Sequence, residues 1–259
     1  MKFRIAIPIL AFVAATMSAV SASAHDLVLI PDGPKTLTMK FGHPPDYEAP
    51  DPEKIFLLDA YATNDNTSIS LLSAVTKGNG EHSTLNMAGL TGERSIAIVA
   101  GEYDNGYFAS VTKNKYFNTS KLNLPKATDS GYFLKFAKSL YPLAAKGGFD
   151  RVLGQQLELI PQSDPFAVRP GQKLPVRVLF RSQPLAGVGL ECGDGVTKIK
   201  EVDIPRYKTN TEGIALIPIE KVGLQIIALD YQTPPRFPAL SDHDDYGASL
   251  TFIVSAKVE

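Results

Sequence analysis

The four histidines of this chain are its best candidates for chemistry, and one of them stands in an unusual place. Lys2-Phe3-Arg4 is followed by an apolar run from Ile5 to Val20 and by Ser21-Ala22-Ser23-Ala24, immediately before His25. A basic start, an apolar core of roughly 15 residues and an A-x-A-like small-residue site describe a cleavable secretory signal over residues 1 to 24. Cleavage after Ala24 makes His25 the first residue, so an α-amine and an imidazole stand within one residue. That is a pair of nitrogen donors suited to a borderline transition metal. The apolar run is shorter than the roughly 20 residues a spanning helix needs. The expectation is an exported, periplasmic chain with no membrane span after signal cleavage.

His43 follows Gly42 and precedes Pro44-Pro45, at the end of the alternating segment Leu37, Met39, Phe41. Such a rim position suits a ligand supplied from a loop on a rigid scaffold. His243 is flanked by Asp242, Asp244 and Asp245, carboxylates able to orient an imidazole or to add oxygen ligands. His82, in the polar turn Lys77-Gly78-Asn79-Gly80-Glu81-His82-Ser83, reads as a surface residue. Cys192 is the only cysteine, which excludes an internal disulfide. Its place in Val188-Gly189-Leu190-Glu191-Cys192 reads as a buried, inert thiol.

Two or three imidazoles, a terminal amine and a carboxylate, with no thiolate, suit Ni(II), Co(II), Cu(II) or Zn(II) better than Ca or Mg. Copper has the highest intrinsic affinity for such a set. The nucleophile elbow, the phosphate loop, the dinucleotide glycine fingerprint and the His-Glu-x-x-His zinc helix are all missing from the sequence, so no enzymatic activity is expected.

The elements that must position these residues read as strands. Short apolar runs at Ile55 to Leu58, Ile69 to Val75, Ile96 to Ala100 and Tyr107 to Val111 are bounded by Asn, Gly, Asp and Pro. Asn118 to Asp129 reads as a loop or short helix, and the apolar positions of Tyr132 to Leu140 fit a helix face and a strand equally. A flexible junction falls at Ala145-Lys146-Gly147-Gly148. Seven strand-length runs follow it: Gln156 to Ile160, Leu174 to Phe180, Val188 to Cys192, Val196 to Val202, Ile214 to Ile219, Leu224 to Asp230 and Ala248 to Val254. Gln232 to Tyr246, with three prolines, reads as a long connection. The fold class expected is all-β, with two β-sandwich regions over 25–145 and 154–259, the second immunoglobulin-like. The formal charge is −1, and losing Lys2 and Arg4 with the signal makes it −3. With no basic run, nucleic acid is not an expected partner.

Several stretches resemble a family of exported β-sandwich proteins described as the nickel-uptake substrate-specific region, found beside nickel and cobalt transporters. They are His25-Asp26-Leu27, Phe41-Gly42-His43-Pro44, Leu157 to Pro165, Leu174 to Phe180, Pro184 to Gly187 and Ala248 to Phe252. The resemblance implies metal binding at His25 and His43, nickel or cobalt as the ion, and a membrane metal transporter as partner. Similar proteins often carry a histidine in the strand that here ends Leu229-Asp230-Tyr231, so Asp230 or His243 would complete the site. Three readings follow: metal capture for an uptake system, a structural or interaction module of the cell envelope, and a copper oxidase built on a terminal histidine.

Overall fold

The structure is a computed structural model and describes residues 25–43, 46–63, 67–112, 115–142, 148–197 and 203–256. The signal segment, Ala145 to Gly147 of the junction and residues 198–202 of the expected Val196 to Val202 strand lie outside these residues; Val196 and Thr197, which are described, form a bend and not a strand. The chain is mostly strand, and its sheets pack face to face as sandwiches.

A central sheet of nine strands takes strands from both sides of the junction. From the first side come β4 (Ile55–Ala62), β5 (Ser68–Ser70), β7 (Ile96–Thr112), β8 (Lys115–Phe117) and β9 (Asp129–Leu140). From the second come β13 (Gly189–Gly193), β14 (Tyr207–Lys208), β16 (Gly223–Thr233) and β17 (His243–Val254). Their order is β14-β13-β16-β17-β9-β7-β4-β5, with β8 on β7. The halves meet where β9 and β17 run parallel, Gly131 opposite His243 and Lys135 opposite Gly247.

Each face of the central sheet is covered by a smaller one. On one face lie β1 (Asp26–Pro31), β2 (Thr36–His43), β3 (Asp46–Glu48) and β6 (Ser83–Asn86). On the other lie β10 (Leu157–Pro161), β11 (Lys173–Phe180), β12 (Gln183–Pro184) and β15 (Ile214–Pro218). Side chains of a strand alternate between faces. Accordingly Leu134, Phe136 and Leu140 of β9 enter the core shared with β10 and β11, whereas Ala137 enters the core beneath β1 and β2. Burial on both faces resolves the helix-or-strand ambiguity of Tyr132 to Leu140 in favour of strand.

Three expectations need correcting. The Ile96 and Tyr107 runs form one strand, joined through a register shift between Asp104 and Gly106, where Gly106 has φ +83°. Ile69 to Val75 is strand only at its start; buried Leu71 donates its N–H to the Leu58 carbonyl and a 3-10 turn, Leu72–Ala74, follows. His243 begins β17 instead of sitting in a loop, because β16 and β17 pair as far as Thr233 opposite Asp244.

Among the described residues β1 pairs with β2 alone, so its second edge needs other partners. The central sheet supplies them: Ser249 Oγ donates to the Leu27 carbonyl at 2.6 Å, and Thr251 Oγ1 donates to the Leu29 carbonyl. On the opposite face, the Lys138 ammonium lies 2.5 Å from Glu158 Oε1 and donates to the Arg151 carbonyl at 3.0 Å. The Leu153 and Gly154 N–H groups donate to the same carboxylate at 2.6 and 3.0 Å. Lys138 and Glu158 are both sealed from solvent. Burial holds the Lys138 ammonium below the ordinary lysine range, and Glu158 offsets this only in part.

Glu158→Gln leaves that ammonium buried without its counter-charge, a change that typically costs about 3 to 5 kcal/mol. At roughly 2 to 4 °C per kcal/mol for a domain of this size, the thermal midpoint should fall by roughly 6 to 20 °C. Differential scanning calorimetry reads this directly, and an unchanged midpoint would show that the pair contributes nothing net.

Candidate metal centre

The antiparallel register of β1 and β2 sets Asp26 opposite Gly42 and Leu27 opposite Phe41. One step further along the same register puts His25 opposite His43. Their ring centroids are 5.9 Å apart, and His25 also stacks on Phe41 at 5.5 Å. Gly42 is required at this point of β2, between Asp26 and Tyr47. Its φ is +131°, and a Cβ would stand 2.4 Å from the Asp46 carbonyl oxygen.

Beneath the two histidines lies a charged cluster. His43 Nδ1 is 3.7 Å from Asp26 Oδ2, while His43 Nε2 and Asp26 Oδ1 are both buried with no hydrogen-bond partner among the described residues. Lys135, from the middle of β9, is buried and donates to Asp230 Oδ1 at 2.9 Å, with Asp245 Oδ1 at 3.5 Å. The close approach depends on Gly247, where a Cβ would stand 2.5 Å from Lys135 Nζ and 2.9 Å from Asp230 Oδ1.

The electrostatics follow from burial. Burial alone would lower the Lys135 ammonium, but Asp230, Asp245 and Asp26 together hold it above the ordinary lysine range. Asp26 is pushed well above the ordinary carboxylate range by burial and then by Asp230, with Lys135 opposing. Asp245 moves upward for the same first reason, again against Lys135. Burial, then the neighbouring His43, lowers the His25 imidazole. Three carboxylates thus surround one lysine, an excess of negative charge that a divalent cation or bound protons would balance.

The sequence-derived candidates separate into two places. His25, His43 and, through Lys135, Asp230 belong to one assembly. His243 starts β17 four residues before Gly247, about 13 Å along the strand at roughly 3.3 Å per residue. There it faces Asp129 Oδ1 at 3.4 Å and the edge of Phe133, ring centroids 6.0 Å apart. Asp242 accepts from Lys121 at 2.6 Å and from Ser130 at 2.7 Å, and Asp244 accepts from Arg236 at 3.1 Å. His82 is exposed on the turn that closes at Asn79. Burial pushes the Cys192 thiol up to about 11, which keeps it protonated and unreactive at neutral pH. Among the described residues, no group of three or more His, Cys, Asp and Glu side chains is placed to hold an ion. Side chains alone therefore leave a coordination shell incomplete.

Two members of the assembly escaped the sequence reading. Asp26 directly follows His25 but reads as the polar start of a strand, and Lys135 reads as one polar residue in an apolar run. A cavity of about 800 Å³ opens beside His25 and Lys135. Phe41, Tyr103, Phe108 and Phe133 line it, and the Lys77 to Gly80 turn closes one wall.

The chain belongs to a family described as a domain of unknown function (DUF4198), whose model matches residues 22–233. The search of curated proteins finds no match.

Because folding raises the Asp26 carboxyl, the folded state binds more protons than the unfolded state above the ordinary carboxylate pKa of about 4. Stability from this group is present below that pH and declines as pH rises toward the raised folded value. Asp26→Asn removes the dependence. In metal-free protein the variant should melt at or above the wild-type temperature at pH 8 and lose that advantage at pH 5. Parallel pH-melting curves for variant and wild type would refute the assignment.

Proposed function

We propose that this DUF4198 protein is an exported transition-metal-binding protein that captures nickel or cobalt and passes it to a membrane uptake system, without catalysing a reaction. The observation that carries this reading is the pairing of His25 with His43 over a cluster in which carboxylates outnumber the lysine, with His43 Nε2 and Asp26 Oδ1 both buried and, among the described residues, without a hydrogen-bond partner. A divalent cation placed there would complete both atoms' bonding and balance the excess negative charge. In a chain beginning at His25, the α-amine adds a third nitrogen donor. Asp230 then acts through its ion pair with Lys135, setting the local charge, and His243 serves the separate cluster with Asp129.

The preference for nickel or cobalt rests on the likeness of His25-Asp26-Leu27, Phe41-Gly42-His43 and the strands beyond Leu157 to the nickel-uptake region. Ligand chemistry alone also admits copper and zinc, with copper bound most tightly. Among the described residues, no helix is long and apolar enough to cross a membrane. Delivery would therefore require docking on a separate transporter.

Isothermal titration of Ni(II), Co(II) and Cu(II) into protein beginning at His25 tests the reading. One extra residue before His25 turns its amine into an amide, and affinity should fall at least about tenfold, roughly 1.4 kcal/mol. Binding should raise the melting temperature through linkage. His43→Ala should abolish both the binding and the thermal shift, and His82→Ala should leave both intact. Wild-type behaviour in His43→Ala would favour an interaction module instead.

A further inference from the structure

The space beside His25 is far larger than an ion requires. Six waters around a metal, at about 30 Å³ each, occupy roughly 180 Å³, whereas the cavity measures about 800 Å³, within the range of small-molecule sites. Its walls are aromatic and its charges are mixed. Phe41, Tyr103, Phe108 and Phe133 line it with rings, Lys54 and Lys77 add basic side chains, and Glu48 and Asp51 add acidic ones. Lys54 is held in place by Asn105 Oδ1 at 2.9 Å and lies 5.9 Å from the Tyr103 ring and 5.8 Å from the Phe108 ring. Lys135, its ammonium paired with Asp230, also lines the cavity.

Resting on the metal-binding reading above, we propose that the cavity holds a small aminocarboxylate, so that the metal is captured as a chelate and not as a bare ion. Two observations point to the same ligand class. The protein offers the His25 amine and imidazole, the His43 imidazole and the Asp26 carboxylate, two donors short of an octahedral shell. The cavity adjoins His25, so a molecule seated in it can place donor atoms on the same ion. Lysine ammonium groups match its carboxylate, Glu48 matches a protonated amine, and the rings cover a planar or apolar side group. A simple monoanion such as acetate would leave most of the ring surface and Glu48 without a counterpart.

Equilibrium dialysis of protein beginning at His25, with Ni(II) and radiolabelled free histidine as the probe aminocarboxylate, tests this. Labelled histidine should be retained only when nickel is present, and excess unlabelled histidine should displace the label without stripping the nickel. Lys54→Met and Phe108→Ala should each weaken retention of the label about tenfold or more, while leaving the affinity for bare Ni(II) within about twofold. His43→Ala should lose both ligands. If nickel binds, the label stays outside and excess histidine extracts the metal, the cavity proposal is overturned and metal capture stands. If neither nickel nor label is retained, both fall.

Discussion

Strand β9 is covered on both faces, and each face carries one fully buried lysine. Lys135 points toward the layer of β1 and β2, Lys138 toward the layer of β10 and β11. An ammonium in such a place is tolerated only with carboxylates against it. The partners come from far along the chain: Asp230 and Asp245 for Lys135, Glu158 for Lys138. The Lys138–Glu158 pair therefore ties the central sheet to the layer of β10 and β11, while Lys135 ties β9 to the neighbouring strands β16 and β17 within the sheet. Apolar packing supplies most of the drive to collapse, and the ion pairs leave neither buried charge stranded.

The two clusters differ in how completely they are balanced. Lys138 meets one carboxylate that is itself held by two backbone N–H groups, and nothing is left over. Lys135 meets an excess of carboxylates, next to imidazoles at the rim and an open cavity. The first arrangement suits a structural clamp. The second leaves an excess of negative charge beside the cavity.

The sheet strands were largely legible from alternation, because Leu37, Met39 and Phe41, or Leu174, Val176 and Val178, bury every second residue. Less was legible where the pairing is long-range. Nothing local marks β9 and β17 as parallel neighbours about one hundred residues apart, so the sharing of one sheet across the junction does not appear in any window of sequence. The same gap hides Lys135, whose role depends on Asp230 and Gly247 arriving opposite it. His25 and His43 stood out by residue type and context, and a two-strand register is enough to bring them together. His243 shared their chemistry on paper, yet its distance from them is set by strand geometry invisible in composition. The cavity required the Lys77 to Gly80 turn to fold over the aromatic wall, a tertiary event with no periodic signal.

The hydroxyl contacts from Ser249 and Thr251 to the carbonyls of Leu27 and Leu29 also impose an order of assembly. They join residues 222 positions apart, so β1 has no finished surface to lie on until the last strand of the central sheet is in place. Contacts of such span are closed late, since loop entropy must be overcome before they contribute. The histidine-bearing edge is thereby made a product of completed folding. In a partly formed chain His25 stands on a segment not yet docked against the central sheet, apart from Lys135 and the cavity it adjoins once the fold is whole.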